Sequence, residues 1–293
     1  MGTALGLAGI VDRRSALTLM AAGVLAACTT REQQTARGDA DPERQEDGVE
    51  TIRYGDDPSQ QGELTRPAGT SKGVVVVIHG GFWRDQYDLS LGRPLAASLA
   101  DEGWTAFNIE YRRVGNGGGW PQTFDDVAAA IDALADVDDL DTSTVVTLGH
   151  SAGGHLAVWA AARPQLSGSP WASPAVPVTA AVSHAGVLDL AAAIAADLGD
   201  GAVQRFMGGT VDDRYALADP SAAIPLSVPV RCVHGTSDTT VPLSQSTDYV
   251  ARARAAGADA ELTAVEGDHF VVIDPSSRAW SLTLQLLETL RTR

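Results

Sequence analysis

The segment Thr147–His155 reads TLGHSAGGH and sets a Gly-x-Ser-x-Gly pattern around Ser151. The apolar, β-branched run Val145–Thr147 leads into it, and an alanine-rich stretch that is typical of a helix follows it. On a sharp turn from a strand into a helix, a serine hydroxyl is exposed at the helix N-terminus, and flanking glycines allow close backbone packing. An ordinary glycine-rich turn with an inert serine is the alternative, because so short a pattern also occurs by chance.

Strand-like and helix-like segments alternate on both sides of this turn. Gly73–Ile78 is an unbroken apolar run, as expected for a strand that is covered on both faces. Further strands are predicted at Thr51–Tyr54 (an edge strand), Trp104–Glu110, Val145–Leu148, Val178–Ser183, Val228–Val233 and Glu261–Val265. Helices are predicted at Ser90–Glu102, Gly154–Ala162 and Leu243–Ala256, after a capping box at Thr123–Asp126, and along a closing face of Trp280, Leu284, Leu287 and Leu290.

This alternation predicts an α/β fold. We expect a mostly parallel central sheet of about eight strands with helices on both faces. The pattern loosens between Gly186 and Pro225 into short helical pieces, which indicates a small cap or insertion.

Three polar residues follow predicted strands in the order Ser151, Asp238, His269. In a parallel sheet, functional groups gather at the C-terminal ends of the strands. A serine hydroxyl is a weak nucleophile unless a histidine takes its proton, and an acid orients that histidine and stabilises its charged form. The three residues are therefore the candidate catalytic set.

Other residues compete for two of these roles. Asp268 adjoins His269, but neighbours on one loop usually point apart, which favours Asp238 as the acid. The remaining histidines are His79, His150, His155, His184 and His234. We interpret them as structural, or as lining a pocket in the case of His150, because they lie too close to the serine in sequence or end other strands.

The segment His79–Trp83 reads HGGFW and directly follows the strand Gly73–Ile78. A tetrahedral intermediate carries negative charge on the former carbonyl oxygen, which needs preorganised donors. A glycine-rich turn in this place can present backbone N–H groups, so Gly81, Phe82 and Ala152 are the candidate oxyanion-hole donors. A glycine turn without catalytic purpose is the alternative.

The composition excludes one class of partner. The chain has 293 residues and a formal net charge of −16, whereas a nucleic-acid-binding protein needs a basic face. We expect no nucleic-acid partner.

The N-terminal residues resemble an export signal. Arg13 and Arg14 precede an apolar run, Ala16–Ala27, that is too short to span a bilayer but suits a signal peptide. The run ends in Leu-Ala-Ala followed by Cys28, which resembles the lipobox of bacterial lipoproteins, and the paired arginines resemble a twin-arginine signal. Plain signal cleavage, an uncleaved anchor and the general secretory route remain open.

The expected organisation follows from this. Residues 1–27 would be the export signal, residues 28–48 a flexible polar tether that begins at a lipidated Cys28, and residues 49–293 the folded domain. The second cysteine, Cys232, lies in a predicted strand and is expected to be buried and inert. We expect an exported lipoprotein on the extracytoplasmic side, with the lipid at Cys28 as its only membrane contact.

From about Tyr54 onward the chain resembles the α/β-hydrolase superfamily, within its His-Gly-Gly esterase/lipase group. The HGGFW segment, with YGDDPSQ at Tyr54–Gln60 and Glu110-Tyr111-Arg112, is most similar to arylformamidase (kynurenine formamidase)-like members and to feruloyl and acetylxylan esterase-like members. The resemblance implies that Ser151 is the nucleophile, Asp238 the orienting acid and His269 the general base. It also implies an acyl pocket walled by Phe82 and Trp83, with no metal or cofactor.

The resemblance and the export signal point to different substrates. Formamidases of tryptophan breakdown act inside cells, whereas an exported protein meets external acyl esters. We therefore expect a serine carboxylesterase that acts on a small-molecule ester through an acyl-enzyme. An arylformamidase or amidase on the same residues, a peptidase, and a non-catalytic surface binding lipoprotein are the alternatives, and the oligomeric state is open.

Overall fold

The computed structural model describes residues 48–209 and 212–291, and the strands within these residues form one eight-stranded sheet. The strands are β1 (Val49–Arg53), β2 (Gln61–Thr65), β3 (Val74–Ile78), β4 (Thr105–Ile109), β5 (Val145–His150), β6 (Ala180–His184), β7 (Val230–Gly235) and β8 (Ala260–Val265). Their order across the sheet is β1-β2-β4-β3-β5-β6-β7-β8. β1 and β2 pair antiparallel with their neighbours, and every pairing from β4 to β8 is parallel. The predicted mostly parallel α/β sheet is confirmed.

Helices cover both faces of this sheet. They are α1 (Arg93–Asp101), α2 (Gln122–Asp132), α3 (Ala152–Ala162), α4 (Leu190–Ala195), α5 (Ala202–Met207), α6 (Tyr215–Ala218), α7 (Ser244–Ala255) and α8 (Arg278–Thr289). The side chains of β3 divide between the two faces. Val75 and Val77 share a core cluster with residues of α1 and α8, while Val74, Val76 and Ile78 share one with residues of α2 and α3. Burial on both sides explains why this strand is apolar at every position.

The segment between β6 and β7 forms the predicted cap. It contains α4, α5, α6 and a 3₁₀ turn at Pro220–Ala223, each shorter than two helical turns. Apolar side chains of the cap, including Phe206 and Met207 of α5, are fully buried in the same cluster as α2 and α3. The cap therefore packs on the same side of the sheet as α2 and α3.

Two local predictions differ from the structure. Strand β2 was not predicted, because Leu64 is its only large apolar residue; it forms through its pairing with β1 and β4. The capping box at Thr123–Asp126 is wrong, because α2 begins at Gln122 and its cap residue makes no side-chain hydrogen bond. The Thr123 hydroxyl instead accepts from Gly119 N at 2.9 Å and donates to Arg112 O at 2.6 Å.

The predicted export signal at residues 1–27 lies outside the described residues. So do residues 28–47 of the predicted tether, including Cys28; the description begins at Gly48. Among the helices that the structure describes, none combines the length and the hydropathy that crossing a bilayer would require.

Candidate active site

Ser151 lies on a strained turn between the end of β5 and the start of α3. Its backbone angles are φ 56° and ψ −118°, and its amide donates to His184 O at 2.8 Å. The neighbouring glycines are required by close backbone contacts. A Cβ at Gly149 would lie 2.0 Å from Gly153 O, and a Cβ at Gly153 would lie 2.0 Å from Ile78 O, both far inside van der Waals contact. The glycines of the Gly-x-Ser-x-Gly pattern are therefore set by the packing of β3, β5 and α3.

Asp238 and His269 follow β7 and β8 and form a direct pair. The distance from His269 Nδ1 to Asp238 Oδ2 is 2.6 Å, and both side chains are almost fully buried. Burial raises the pKa of Asp238, but hydrogen bonds from His234, from His269 and from the Val241 amide outweigh it and hold that pKa well below its ordinary value. The acid is therefore ionised at neutral pH, and Nδ1 of His269 is the nitrogen that donates to it.

His150, the residue before the serine, contacts the loop that carries His269. Its Nε2 donates to His269 O at 2.9 Å, and the two ring centroids lie 4.5 Å apart. Burial and the neighbouring His269 lower the pKa of His150 to about 3, so its ring is neutral. With 7% of its surface exposed, His150 acts mainly as a link to the histidine loop, and its predicted role in lining a pocket stays a prediction.

This link brings the backbone of His269 next to the serine turn. Among the described residues, however, no hydrogen bond joins Ser151 Oγ to the His269 ring. Such contacts in unliganded enzymes are often long and tighten only when substrate binds. The structure thus pairs the acid with the histidine and sets the serine beside them.

The segment after β3 lies against the serine turn. A Cβ at Gly80 would lie 2.7 Å from His150 O and 3.1 Å from Ser151 Cβ. Gly81, Phe82 and Trp83 then take successive positive φ angles of 112°, 53° and 55°. The N–H groups of Gly81, Phe82 and Ala152 make no hydrogen bond within the described residues; Gly81 and Phe82 are partly exposed, whereas Ala152 is buried. Their use as an oxyanion hole stays a prediction.

A buried polar cluster holds this loop in place. His79 donates through Nδ1 to Gly80 O at 2.8 Å and stacks on Tyr111, whose hydroxyl donates to His79 O at 2.8 Å. Arg113 forms an ion pair with Glu110, which also lies 3.0 Å from His79 Nε2. Burial lowers the pKa of His79 to about 3, so the ring is neutral and structural. The cluster was not predicted from the sequence, because its contacts join residues more than thirty positions apart.

The prediction that Trp83 lines the substrate pocket is wrong. Its indole is fully buried and stacks on Phe206 of the cap, with ring centroids 4.5 Å apart, so it belongs to the core. Phe82 is partly exposed and its ring abuts Gly199, where an added Cβ would lie 2.6 Å from the ring. Of the two aromatic residues, only Phe82 can contact a bound substrate.

The remaining histidines have structural partners. His155 Nε2 donates to Ala218 O at 2.9 Å, and His184 Nε2 donates to Thr283 Oγ1 at 2.8 Å. Burial lowers the pKa of His155 to about 4 and that of His184 to about 3. No cluster of three or more metal-ligating side chains occurs in the part of the chain that the structure describes.

Comparisons with known proteins find esterases among the similar sequences and folds. The chain is 34% identical over 119 residues to Esterase LipC of Mycobacterium tuberculosis, an alignment that covers 37% of this chain and only 28% of that protein. A truncated carbohydrate esterase from gut microbiota has a similar fold, with a TM-score of 0.69 at 21% identity over 85% of this chain and 99% of that one. A butyrate-bound esterase 2 of Thermogutta terrifontis has a TM-score of 0.67 at 23% identity over 83% and 93%.

One family model matches more than half of the chain. It covers residues 64–252, from the second strand to the helix after β7, and carries the description BD-FAE. Ser151, Asp238 and the whole HGGFW loop lie within the matched residues. The chain belongs to the BD-FAE family, an α/β-hydrolase esterase family.

Proposed function

We propose that this protein is a serine carboxylesterase that cleaves small esters through an acyl-enzyme. The observation that carries the proposal is the 2.6 Å pair of His269 and Asp238, at the same sheet edge as the strained serine. Family membership supports an esterase. The roles of the individual residues are inferred from their chemistry.

In the first step, Ser151 Oγ attacks the ester carbonyl carbon while Nε2 of His269 takes the hydroxyl proton. Asp238 stabilises the imidazolium that forms, because it is already ionised and bonded to Nδ1. The C–O bond to the alcohol then breaks, the imidazolium proton passes to the departing oxygen, and the acyl group remains on Ser151. Water then attacks the acyl carbon with His269 again as base, which releases the acid and restores the serine.

The loop after β3 would stabilise the charge on the carbonyl oxygen. The unpaired N–H groups of Gly81 and Phe82 lie on one side of the serine turn, and that of Ala152 is the first of α3, where the helix dipole also favours an anion. Removing a single oxyanion donor typically lowers kcat by about 10²–10³-fold. The packed polar cluster at His79 keeps these donors oriented before substrate arrives.

Short p-nitrophenyl esters test the proposal directly. We expect the purified protein to hydrolyse them and Ser151→Ala to lower kcat by about 10⁶-fold, by analogy with serine proteases. Ser167→Ala, at an exposed serine beyond the other end of α3, is the matched control and should keep full activity. Equal turnover by wild type and Ser151→Ala would refute the nucleophile.

The acyl and leaving groups need a substrate panel. The butyrate-bound Thermogutta esterase makes short acyl chains the first choice, compared with feruloyl and acetyl esters. N-formylkynurenine tests the arylformamidase alternative on the same residues. Labelling of Ser151 by a fluorophosphonate probe tests the non-catalytic alternative, since only an activated serine reacts.

We also propose that the protein is exported and anchored through a lipid at Cys28. The support is the sequence Leu-Ala-Ala-Cys after an apolar run and paired arginines. Radiolabelled palmitate should be incorporated by the wild type in cells and not by Cys28→Ala. Equal labelling of the variant would contradict the anchor.

A further inference from the structure

The acid of the proposed site has a second histidine partner. His234, near the end of β7, is fully buried, and its Nε2 lies 3.2 Å from Asp238 Oδ2, the same oxygen that accepts from His269. His234 Nε2 also lies 3.0 Å from Val241 O, and its Nδ1 lies 2.8 Å from Ser246 Oγ on α7. The pair His234 and Ser246 therefore lies next to Asp238 within the buried interior.

These contacts define the protons in the pair. A carbonyl can only accept a hydrogen bond, so the contact with Val241 O requires that His234 Nε2 carries a proton. In the neutral ring, Nδ1 is then an acceptor, and the Ser246 hydroxyl donates to it. Val241 O thus selects the tautomer of His234 that carries its proton on Nε2, the nitrogen nearest Asp238, and the Ser246 hydroxyl stabilises that tautomer by donating to Nδ1.

Both carboxylate oxygens of Asp238 have polar partners. Oδ1 accepts from the amides of Thr240 and Val241, each at 2.8 Å. Oδ2 accepts from His269 Nδ1 at 2.6 Å, and His234 Nε2 lies 3.2 Å from the same oxygen. Rotation of the carboxylate would break several of these bonds together. Donors on Oδ2 also share its negative charge, so His234 reduces the charge that Oδ2 presents to His269.

We propose that His234, with its Nε2-protonated tautomer stabilised by Ser246, is a positioning residue that orients Asp238 and weakens its attraction for the His269 proton. The inference rests on the proposed function, in which His269 is the base. Without His234 as a donor, Oδ2 stabilises the His269 imidazolium more strongly. The acid limb of the pH–rate profile, which reports the protonation of the base, should then move to higher pH.

Neighbouring groups do not produce this shift. Burial raises the pKa of Cys232 on β7 to about 12, and that of His150 is lowered to about 3, so neither changes charge between pH 5 and 9. Asp268 and Glu266, on the loop of His269 itself, are exposed and present in every variant. Asp248 on α7 is exposed as well.

The test compares Ser246→Ala with Ser244→Ala, an exposed serine on the same helix. For Ser246→Ala we expect kcat to fall about five- to tenfold with KM unchanged, and the acid-limb midpoint of kcat/KM to rise by about half a pH unit. The kcat of His234→Leu should fall about 10–100-fold, and His234→Gln, which keeps an N–H donor near the position of Nε2, should recover part of that loss. Ser244→Ala should match the wild type in every measurement.

A second readout separates this proposal from the proposed function. ¹⁵N-histidine NMR follows the titration of His269 without any catalysis, and its midpoint should rise in Ser246→Ala. If Ser151→Ala keeps full esterase activity while the NMR midpoint moves, the nucleophile assignment fails and the positioning role stands. Unchanged NMR midpoints in folded Ser246→Ala and His234→Gln would overturn the positioning role. A loss of activity that is accompanied by a lower unfolding temperature and by no change in the pH profile would also overturn it.

Discussion

The backbone at Ser151 should carry measurable strain, and replacing the residue by glycine should release it. Its angles, φ 56° and ψ −118°, fall outside the small left-handed region that side chains tolerate. They match the first central position of a type II′ turn, where glycine dominates. Ser151→Ala and Ser151→Gly both remove the hydroxyl, so a difference between them reports the backbone alone.

The expected difference follows from three contributions. A side chain held in such a conformation costs on the order of 2–3 kcal/mol, near the upper end for strained residues. Relative to alanine, glycine destabilises the folded state by about 0.4–1 kcal/mol because its unfolded chain has greater freedom. The loss of a buried methyl group destabilises it by about 0.8 kcal/mol more. Ser151→Gly should therefore be more stable than Ser151→Ala by about 1 kcal/mol, a rise in Tm of about 2–4 °C for a domain of this size.

Urea unfolding followed by circular dichroism gives the comparison. The midpoints report stability directly if the two variants have the same dependence of unfolding free energy on urea concentration. Ala97→Gly, at an exposed position of α1, is the control and should lose about 1 kcal/mol, as glycine does in an ordinary helix. If Ser151→Gly unfolds at the same or a lower urea concentration than Ser151→Ala, the turn is not strained by its side chain, and the reasoning fails.

Three further predictions concern the surroundings of the site. Gly153→Ala should cost about 3 kcal/mol or more in urea unfolding, because its Cβ would lie 2.0 Å from Ile78 O and 2.5 Å from His79 O, whereas Gly69→Ala, with nothing within 4 Å, should stay within about 0.5 kcal/mol of wild type. Glu110→Ala should cost about 3–5 kcal/mol by leaving Arg113 buried without its partner, while Glu288→Ala, which breaks an exposed pair with Lys72, should cost less than about 1 kcal/mol; equal losses would contradict the role of burial. Burial raises the pKa of Asp219 from 3.8 to about 6, so the folded state holds this proton more tightly; the stability it contributes is present below pH 4 and is lost as the pH rises through 6. The unfolding free energy of wild type relative to Asp219→Asn should then fall by about 2 kcal/mol between pH 4 and pH 6, and a flat difference would show that this carboxyl does not titrate there.

The sequence predicted the sheet well because its central strands are buried on both faces. An unbroken β-branched run such as Val74–Ile78 favours a strand that is covered on both faces, and its neighbours repeat the pattern. Strand β2 was missed because its stability comes from pairing with β4 and from the burial of Leu64 alone. The local sequence pattern does not indicate a strand whose stability depends mainly on pairing with its neighbours.

Side chains with distant partners were the other source of error. Thr123 and Asp126 have the spacing of a capping box, but Asp126 bonds to Arg112 and to Gln60, 66 residues away. Trp83 is the last residue of the HGGFW loop, yet the ring of Phe206 in the cap covers it. In each case a long-range contact outweighed the local preference.

The candidate site was predicted in part for the same reason. The order of Ser151, Asp238 and His269 at strand ends could be read directly, and the structure pairs the last two. The second partner of Asp238 could not, because the approach of His234 depends on how the chain turns after β7 and on where α7 places Ser246.

The sheet itself sets the spacing between the serine and the loop that would stabilise its intermediate. Strands β3 and β5 pair in parallel, with Ile78 opposite Gly149, so the HGGFW loop and the serine turn leave the sheet at the same level. The contact of Gly153 with Ile78 O and that of Gly80 with His150 O then lock the two turns together through backbone atoms. Because these contacts involve no flexible side chains, they hold the backbone of Ser151 and the N–H groups of the HGGFW loop at a fixed separation before substrate binds. In the proposed mechanism, that preorganisation is the condition under which such donors stabilise a transition state most strongly.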